Sequence, residues 1–102
     1  MIVRSTETYK KWFKNLRDRQ ARMRIDARLY RLHENGYLGD HRNLSGGVIE
    51  MRIDYGPGYR VYATQKGSEI ILLLVGGDKR TQQRDIETAQ EMARELKGED
   101  HG

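Results

Sequence analysis

The spacing of apolar side chains along this chain changes at Ile49, from the period of a helix to that of a strand. Before this residue, apolar side chains recur at positions i, i+3, i+4 and i+7, which places them on one face of a helix. After it they alternate with polar side chains, as in half-buried strands. The sequence therefore predicts helices first and a sheet second. The two helical stripes are Tyr9, Trp12, Phe13 and Leu16, then Ala21, Ile25, Leu29 and Leu32.

The stripes predict two helices in tandem, joined near Arg17 to Gln20 as an αα-hairpin. Glycines punctuate residues 36–47, where no periodicity survives, so a loop is expected there. Ile2 and Val3 are expected to form a short edge strand. A last helix is predicted from Thr81, which is the expected N-cap.

Three strands are predicted in the second half. Two alternating segments, 49–55 and 59–64, flank a Gly-Pro-Gly turn. The third, from Glu69 to Val75, is apolar without alternation, so it should be covered on both faces and lie centrally. The order β-α-α-β-β-β-α predicts an α+β fold, in which helices pack on one face of an antiparallel sheet. The other face would then be largely uncovered.

Composition narrows the class of protein. The 102 residues suit one domain, expected at residues 1–97, with a disordered tail at 98–102. The longest apolar run, Ile70 to Val75, is far shorter than the roughly 18 to 20 residues of a membrane-spanning helix. With no signal-peptide pattern either, a cytoplasmic location is expected. The absence of cysteine excludes thiolate catalysis and sulfur-ligated metals.

Charge is distributed unevenly. Residues 1–35 hold ten Lys and Arg against four Asp and Glu, within a chain of net charge +4. Such a surplus can bind a phosphate backbone or an acidic partner, but a solvated basic helix face is an equal alternative.

Strand geometry alone predicts the face of the sheet on which several side chains lie. Period-two spacing puts Arg60 and Tyr62 on one strand face and Arg52 on the outward side of the neighbouring strand, so the three could converge on one phosphate. Arg52 could instead pair with Glu50 or Asp54. Tyr55 and Tyr59 occupy the alternate positions, so their side chains are expected to point towards the helices and lie in the core. Surface positions are expected for His33, His41 and His101.

Three parts of the sequence together resemble the RelE/ParE toxin superfamily. They are the helix pair, the segment 50–62 ending in Tyr-Arg-Val-Tyr, and the segment 72–86 containing Gly-Gly-Asp-Lys-Arg-Thr-Gln-Gln-Arg-Asp-Ile. The sequence is most similar to the HigB-like branch of addiction-module killer proteins, from Tyr9 to Leu96. This resemblance implies a RelE-like fold and the toxin half of a bacterial type II toxin-antitoxin system. Most often such a toxin is a ribosome-dependent endoribonuclease that cuts mRNA and inhibits translation.

The implied reaction uses the 2′-hydroxyl of the RNA as nucleophile, so the protein must orient it, move protons and stabilise a charged phosphorane. No metal or other cofactor is implied, and the scattered histidines and unclustered carboxylates predict no metal site. The resemblance gives the phosphate contact to Arg60, while the general base stays unassigned. The catalytic candidates are Arg60, Lys79, Tyr62 and Arg52, and the substrate-binding candidates are Arg80, Gln82 and Gln83.

The resemblance also implies partners: a cognate helix-turn-helix antitoxin, the ribosome and mRNA. It implies no membrane, and operator DNA only indirectly through the antitoxin. Two other functions stay open. The chain could be a ParE-like toxin that acts on DNA gyrase without nuclease activity, or a nucleic-acid-binding module whose arginine-rich second helix contacts phosphates.

Overall fold

The structure, a computed structural model, describes the backbone of residues 1–100 and the side chains as far as Gly98. Two short 3₁₀ turns, Ser45–Gly47 and Lys79–Thr81, precede a strand and a helix. No helix in this part of the chain combines the length and apolarity needed to cross a lipid bilayer. The elements are β1 (Ile2–Ser5), α1 (Glu7–Lys14), α2 (Arg19–Asn35), β2 (His41–Leu44), β3 (Val48–Ile53), β4 (Tyr59–Lys66), β5 (Ile70–Asp78) and α3 (Gln82–Asp100).

Helices α1 and α2 confirm the predicted tandem pair, and each begins at a side-chain cap. The Thr6 hydroxyl accepts a hydrogen bond from the Tyr9 amide at 3.0 Å, and the Asp18 carboxylate accepts one from the Ala21 amide at 3.2 Å. Such caps satisfy amides that have no partner inside the helix. Helix α2 ends at Gly36, whose φ of 71° lies in the left-handed region that glycine adopts without strain.

The five strands form one sheet in the order β1-β5-β4-β3-β2. Strands β3, β4 and β5 pair antiparallel, as predicted, and β2 pairs antiparallel with β3, but β1 pairs parallel with β5, so the sheet is mixed. A hairpin forces its two strands to run antiparallel, whereas β1 reaches β5 through both helices and three strands. The direction of β1 is therefore free of that constraint. The third predicted strand lies inside the sheet, as expected, between β1 and β4.

Strand β2 corrects the prediction of a loop over residues 36–47. It is a four-residue edge strand paired with β3, and the side chains of His41, Arg42 and Asn43 are exposed. An edge strand needs only backbone hydrogen bonds to a neighbour, so a polar strand of this kind leaves no apolar alternation in the sequence.

Helices cover both faces of the sheet, which corrects the expectation of one covered face. On one face α1 and α2 pack with side chains such as Met51, Val61 and Leu73. On the other, α3 packs through Ala89 and Ala93. The physical reason is the apolar β5, whose side chains on both faces require cover.

A bulge in β5 changes which face its side chains point to. Tyr62 pairs with Val75 while Ala63 pairs with Leu73, so Leu74 is the extra residue. Beyond the bulge, a Cβ on Gly76 would overlap the Trp12 ring of α1, and one on Gly77 would overlap the Asp85 carboxylate of α3. The two glycines therefore allow one helix on each face to approach the backbone of β5.

The start and end of α3 differ in part from prediction. Thr81 directly precedes the helix as expected, but its hydroxyl donates to the Asp85 carboxylate at 2.5 Å. The helix continues to Asp100, past the expected boundary at residue 97. Strong helix formers precede Gly98, and one glycine costs a helix only about 1 kcal/mol. Residues 101–102, including His101, lie outside the described residues.

Candidate functional site

A cleft of about 400 Å³ lies between the turn that joins β3 to β4 and the residues before α3. Three of the predicted catalytic cations, Arg52, Arg60 and Lys79, line it together. Two carboxylates, Asp40 and Asp54, line the same cleft. The cations predicted from strand parity and from the basic loop are distant in sequence, and they lie close together in the structure.

Arg60 is held rigidly and lies deeper than expected. Its side chain was predicted to point from an uncovered sheet face, but α3 covers that face and the residue is only 8% exposed. One terminal nitrogen donates to the carbonyls of Gly58 at 3.1 Å and Tyr59 at 3.2 Å. Its buried Nε has no hydrogen-bond partner within the described chain.

Arg52 sits directly across the strand pair from Arg60, so two like charges are cross-strand neighbours. The charge that offsets them is Glu50, whose carboxylate lies 3.3 Å from Arg52 Nε and 3.3 Å from an Arg42 terminal nitrogen. The ion pair considered from the sequence is therefore present with Glu50. Arg52 lines the cleft while this pair orients it.

Glu50 itself is fully buried, and sequence reasoning treated it only as a possible partner of Arg52. Gln82 donates to its second oxygen at 3.0 Å. Burial raises the pKa of Glu50, but the Gln82 hydrogen bond and the charges of Arg42 and Arg52 outweigh burial and lower it. Glu50 is therefore ionised at neutral pH. Its signal in the sequence is its place on the same strand face as Arg52.

Tyr62 does not line the cleft. It pairs with Glu50 across β3 and β4, and its side chain is completely buried under α3. Burial, followed by the nearby charge of Glu50, raises the pKa of Tyr62 well above its ordinary value. The phenol is therefore neutral at physiological pH. Tyr62 therefore does not line the cleft beside Arg60, because its side chain packs against Ala89 and Ala93 of α3.

The substrate-binding candidates separate into different environments. Arg80 is bound to Asp78 through two contacts of 3.3 and 3.0 Å, so its guanidinium is already paired. Gln82 holds Glu50, and Gln83 bonds Glu87 on the exposed side of α3 at 3.0 Å. None of the three lines the cleft. Lys79 does, with its side-chain stem against Gly58.

Arg28 is a second side chain that sequence reasoning missed. From α2 it donates to the carbonyls of Leu38 at 2.5 Å, Asp40 at 2.9 Å and Arg52 at 2.5 Å. One guanidinium thus fixes the segment before β2 against the end of β3, where both carry residues of the cleft. In the sequence Arg28 is one of several arginines between apolar positions, and nothing there distinguishes it.

The other residues that the sequence singled out lie outside the cleft. Tyr59 is buried in the core as predicted, and Tyr55 is half-buried against it with its ring under the Arg24 guanidinium. His33 and His41 are exposed, as expected. Among the described residues no group of three or more His, Asp or Glu side chains is arranged to hold a metal ion.

The cleft combines three cations with two carboxylates, and this combination suits a phosphodiester. The cations can bind and neutralise phosphate oxygens, and a carboxylate can accept a proton from an attacking hydroxyl. Arg60 and Arg52 are fixed in place by their neighbours, so little reorganisation is needed when charge develops.

Comparison with known proteins found a protein of similar sequence and a chain of similar fold. It is 40% identical over 94 residues to an uncharacterized protein of Haemophilus influenzae, across 92% of this chain and 94% of that protein. The fold is similar to that of a chain in the crystal structure of the intact E. coli RelBE toxin-antitoxin complex. That match has a TM-score of 0.62 and 15% identity, over 76% of this chain and 94% of the other. No protein-family model matches the sequence.

Proposed function

This chain belongs to the same family as the Haemophilus influenzae protein and shares the fold of a chain of the RelBE complex, and from these relations we propose that it is the toxin of a type II toxin-antitoxin pair. Its activity is metal-independent endonucleolytic cleavage of mRNA on the ribosome, which inhibits translation in the cytoplasm. The Tyr-Arg-Val-Tyr segment and the basic loop before α3 support its place in the HigB-like branch. Its partners are an antitoxin, mRNA and the ribosome.

The observation that carries the nuclease proposal is the cleft in which Arg52, Arg60 and Lys79 meet. Arg60 lines the cleft and contributes to the scissile phosphate a guanidinium that the carbonyls of Gly58 and Tyr59 hold in place. Lys79, which is exposed, adds a mobile charge at the mouth of the cleft.

Proton transfer is assigned to a carboxylate of the cleft. Asp54 follows Arg52 at two-residue spacing, on the same side of the chain, and lines the cleft with it. Asp54 takes the proton from the 2′-hydroxyl as the 2′-oxygen attacks the adjacent phosphorus, and the bond to the 5′-oxygen breaks as that oxygen takes a proton from the solvent. The products are a 2′,3′-cyclic phosphate and a 5′-hydroxyl. Glu50 and Arg28 act as positioning residues that hold Arg52 and the walls of the cleft.

The test is primer extension and end-group analysis of mRNA on translating ribosomes with the purified protein. We expect a 5′-hydroxyl end, no cleavage where a 2′-deoxynucleotide replaces the cut nucleotide, and persistence in EDTA with ribosome integrity checked by sedimentation. Asp54→Asn should reduce cleavage at least about 100-fold, the usual contribution of a general base. The matched control, Glu87→Gln on the exposed side of α3, should cleave normally.

Two results would contradict the proposal. A 5′-phosphate product would refute attack by the 2′-hydroxyl. Intact mRNA together with inhibited supercoiling by DNA gyrase, measured in parallel, would assign the chain to the gyrase-directed toxins instead. Cleavage by the Asp54→Asn variant at the normal rate would leave the nuclease and remove Asp54 as its base.

A further inference from the structure

Helix α2 carries apolar side chains on the side opposite its core contacts. Its inner side buries Ala21, Ile25 and Leu32. On its outer side Met23 and Tyr30 are 66% and 64% exposed. Ala27, also exposed, lies between them at the spacing i, i+4, i+7, which forms one straight row on a helix. We call Met23, Ala27 and Tyr30 the outer stripe.

Opposite charges stand at the two ends of the outer stripe. Arg19 precedes Met23 by four residues and Glu34 follows Tyr30 by four, so both lie on the same side of the helix. Both are exposed, and neither forms an ion pair with any other residue that the structure describes. Reversing the helix end for end exchanges Arg19 with Glu34 and Met23 with Tyr30. The surface is therefore complementary to itself.

We propose that the outer stripe is a homodimer interface, in which α2 packs antiparallel on α2 of a second copy about a two-fold axis near Ala27. Each Arg19 then meets Glu34 of the other copy, and each Met23 packs on the other Tyr30. The small Ala27 lets the helices approach closely at the axis. A crossing angle of about 20° keeps both charged ends within reach. A two-fold interface of this kind is isologous and closes on itself.

The size of the contact sets its strength. Helix α2 has 17 residues, so it is about 25 Å long and offers one helix face to its partner. This is below the area of a standard stable interface, so we expect a dissociation constant on the order of 10 μM. Met23 and Tyr30 lie on the side of α2 opposite its buried residues, while Ala27 borders a pocket that Ile53 and Asp54 at the end of β3 also line. The proposal does not depend on the nuclease activity.

Sedimentation equilibrium of the full-length chain tests the dimer, and charge exchange tests its register. Arg19→Glu and Glu34→Arg should each raise the dissociation constant about tenfold, because two attractive contacts become repulsive in each dimer. An equimolar mixture of the two variants should form a heterodimer with near wild-type affinity, since every contact is again between opposite charges. Both substitutions suit the helix macrodipole, so α2 should stay folded.

Tyr30→Glu places a charge in the apolar row and should abolish dimerisation. The control pair, Arg84→Glu and Glu91→Arg, makes the same charge changes on the exposed side of α3 and should leave the dimer unchanged. A wild-type chain that stays monomeric at about 1 mM would overturn the proposal, since even the weakest specific contacts are detected there. So would a dimer that is insensitive to Tyr30→Glu, or a mixture of the two charge variants that does not associate.

Discussion

Glu50 is a buried carboxylate that holds together the charged residues behind the cleft. It contacts Arg42, Arg52 and Gln82, so replacing it by a neutral amide takes the opposing charge from two arginines and one acceptor oxygen from the cluster. Breaking a buried ion pair from one side is costly. We expect Glu50→Gln to lower the free energy of unfolding by about 3 kcal/mol in urea denaturation at pH 7. Glu87→Gln, on the exposed side of α3, should change it by less than about 0.5 kcal/mol.

The contribution of Glu50 to the free energy of unfolding should depend on pH. The pKa of Glu50 is lowered in the folded protein from its ordinary value of 4.5. A carboxyl of this kind stabilises the fold above its unfolded pKa, and the stabilisation is lost as pH falls through the folded value. The stability difference between wild type and Glu50→Gln should therefore be constant near neutral pH and shrink below about pH 4.5. A difference that grows on acidification would contradict the lowered pKa.

Arg60 can be tested by a substitution that keeps its charge. Lysine has no planar pair of donors and cannot both bond the carbonyls of Gly58 and Tyr59 and present a second donor to phosphate. We expect Arg60→Lys to abolish growth inhibition when expressed from an inducible promoter without antitoxin. Arg60→Ala should also abolish it, with some loss of stability because the residue is buried.

Arg84→Lys, an exposed change on α3, is the matched control and should remain toxic. Equal toxicity of Arg60→Lys and wild type at equal soluble protein would remove Arg60 from the catalytic role.

Single residues show where sequence reasoning succeeds and where it stops. Period-two parity placed Arg52 and Arg60 side by side, because alternation is a property of the strand itself. The same parity could not reveal that α3 covers that face, so Tyr62 was misplaced. Arg28 was missed because its three carbonyl partners belong to a loop and a strand end that meet α2 only in the folded chain.

The secondary-structure elements were likewise predicted where they depend on local sequence, and missed where they depend on contacts made only in the folded chain. Apolar periodicity predicted α1, α2, α3 and the three long strands. It did not predict β2, whose polar residues pair only through the backbone, or the parallel direction of β1. The unalternating apolar segment of β5 already required cover on both faces, and that requirement conflicted with placing every helix on one face.

The contact between β5 and α3 depends on the absence of a side chain at Gly77. A Cβ there would overlap the Asp85 carboxylate, which is already held by the Thr81 hydroxyl. We expect Gly77→Ala to destabilise the protein by about 2 kcal/mol, as overpacking does in a filled interior. Thermal denaturation followed by circular dichroism measures this.

Gly98→Ala is the matched control, since a Cβ at that helical position would have no described atom within 4 Å apart from the adjacent residues and the backbone of its own helix. It should raise stability by about 0.5 to 1 kcal/mol through helix propensity. Equal effects of the two substitutions would mean that α3 does not pack against Gly77 as described.

At the scale of the whole molecule, the proposed toxin function makes the cationic cleft the surface where we expect an antitoxin to bind. We expect an Asp- and Glu-rich segment of the antitoxin, or its folded helix-turn-helix part, to cover Arg52, Arg60 and Lys79. The two proteins should co-purify from a two-gene operon, with affinity falling as salt rises. Lys79→Glu should weaken the complex about tenfold in calorimetry, as reversing a contact charge does.

Lys11→Glu, an exposed change on α1 away from the cleft, should leave that affinity unchanged. Recovery of this chain alone at low salt, with the neighbouring protein demonstrably expressed, would count against the pair.

The parallel pairing of β1 with β5 gives the molecule an order of assembly during its own synthesis. β1 leaves the ribosome well before β5, yet Ile2 pairs with Ile70 and the Thr6 hydroxyl bonds the Leu74 carbonyl, 68 residues later. Contacts this distant in sequence form late and slowly. Until β5 has been translated, β1 has no strand to join and α1 has no β5 to pack on. A half-made chain would therefore lack both the closed sheet and Lys79, and the activity proposed above would be absent until β5 and Lys79 have been translated.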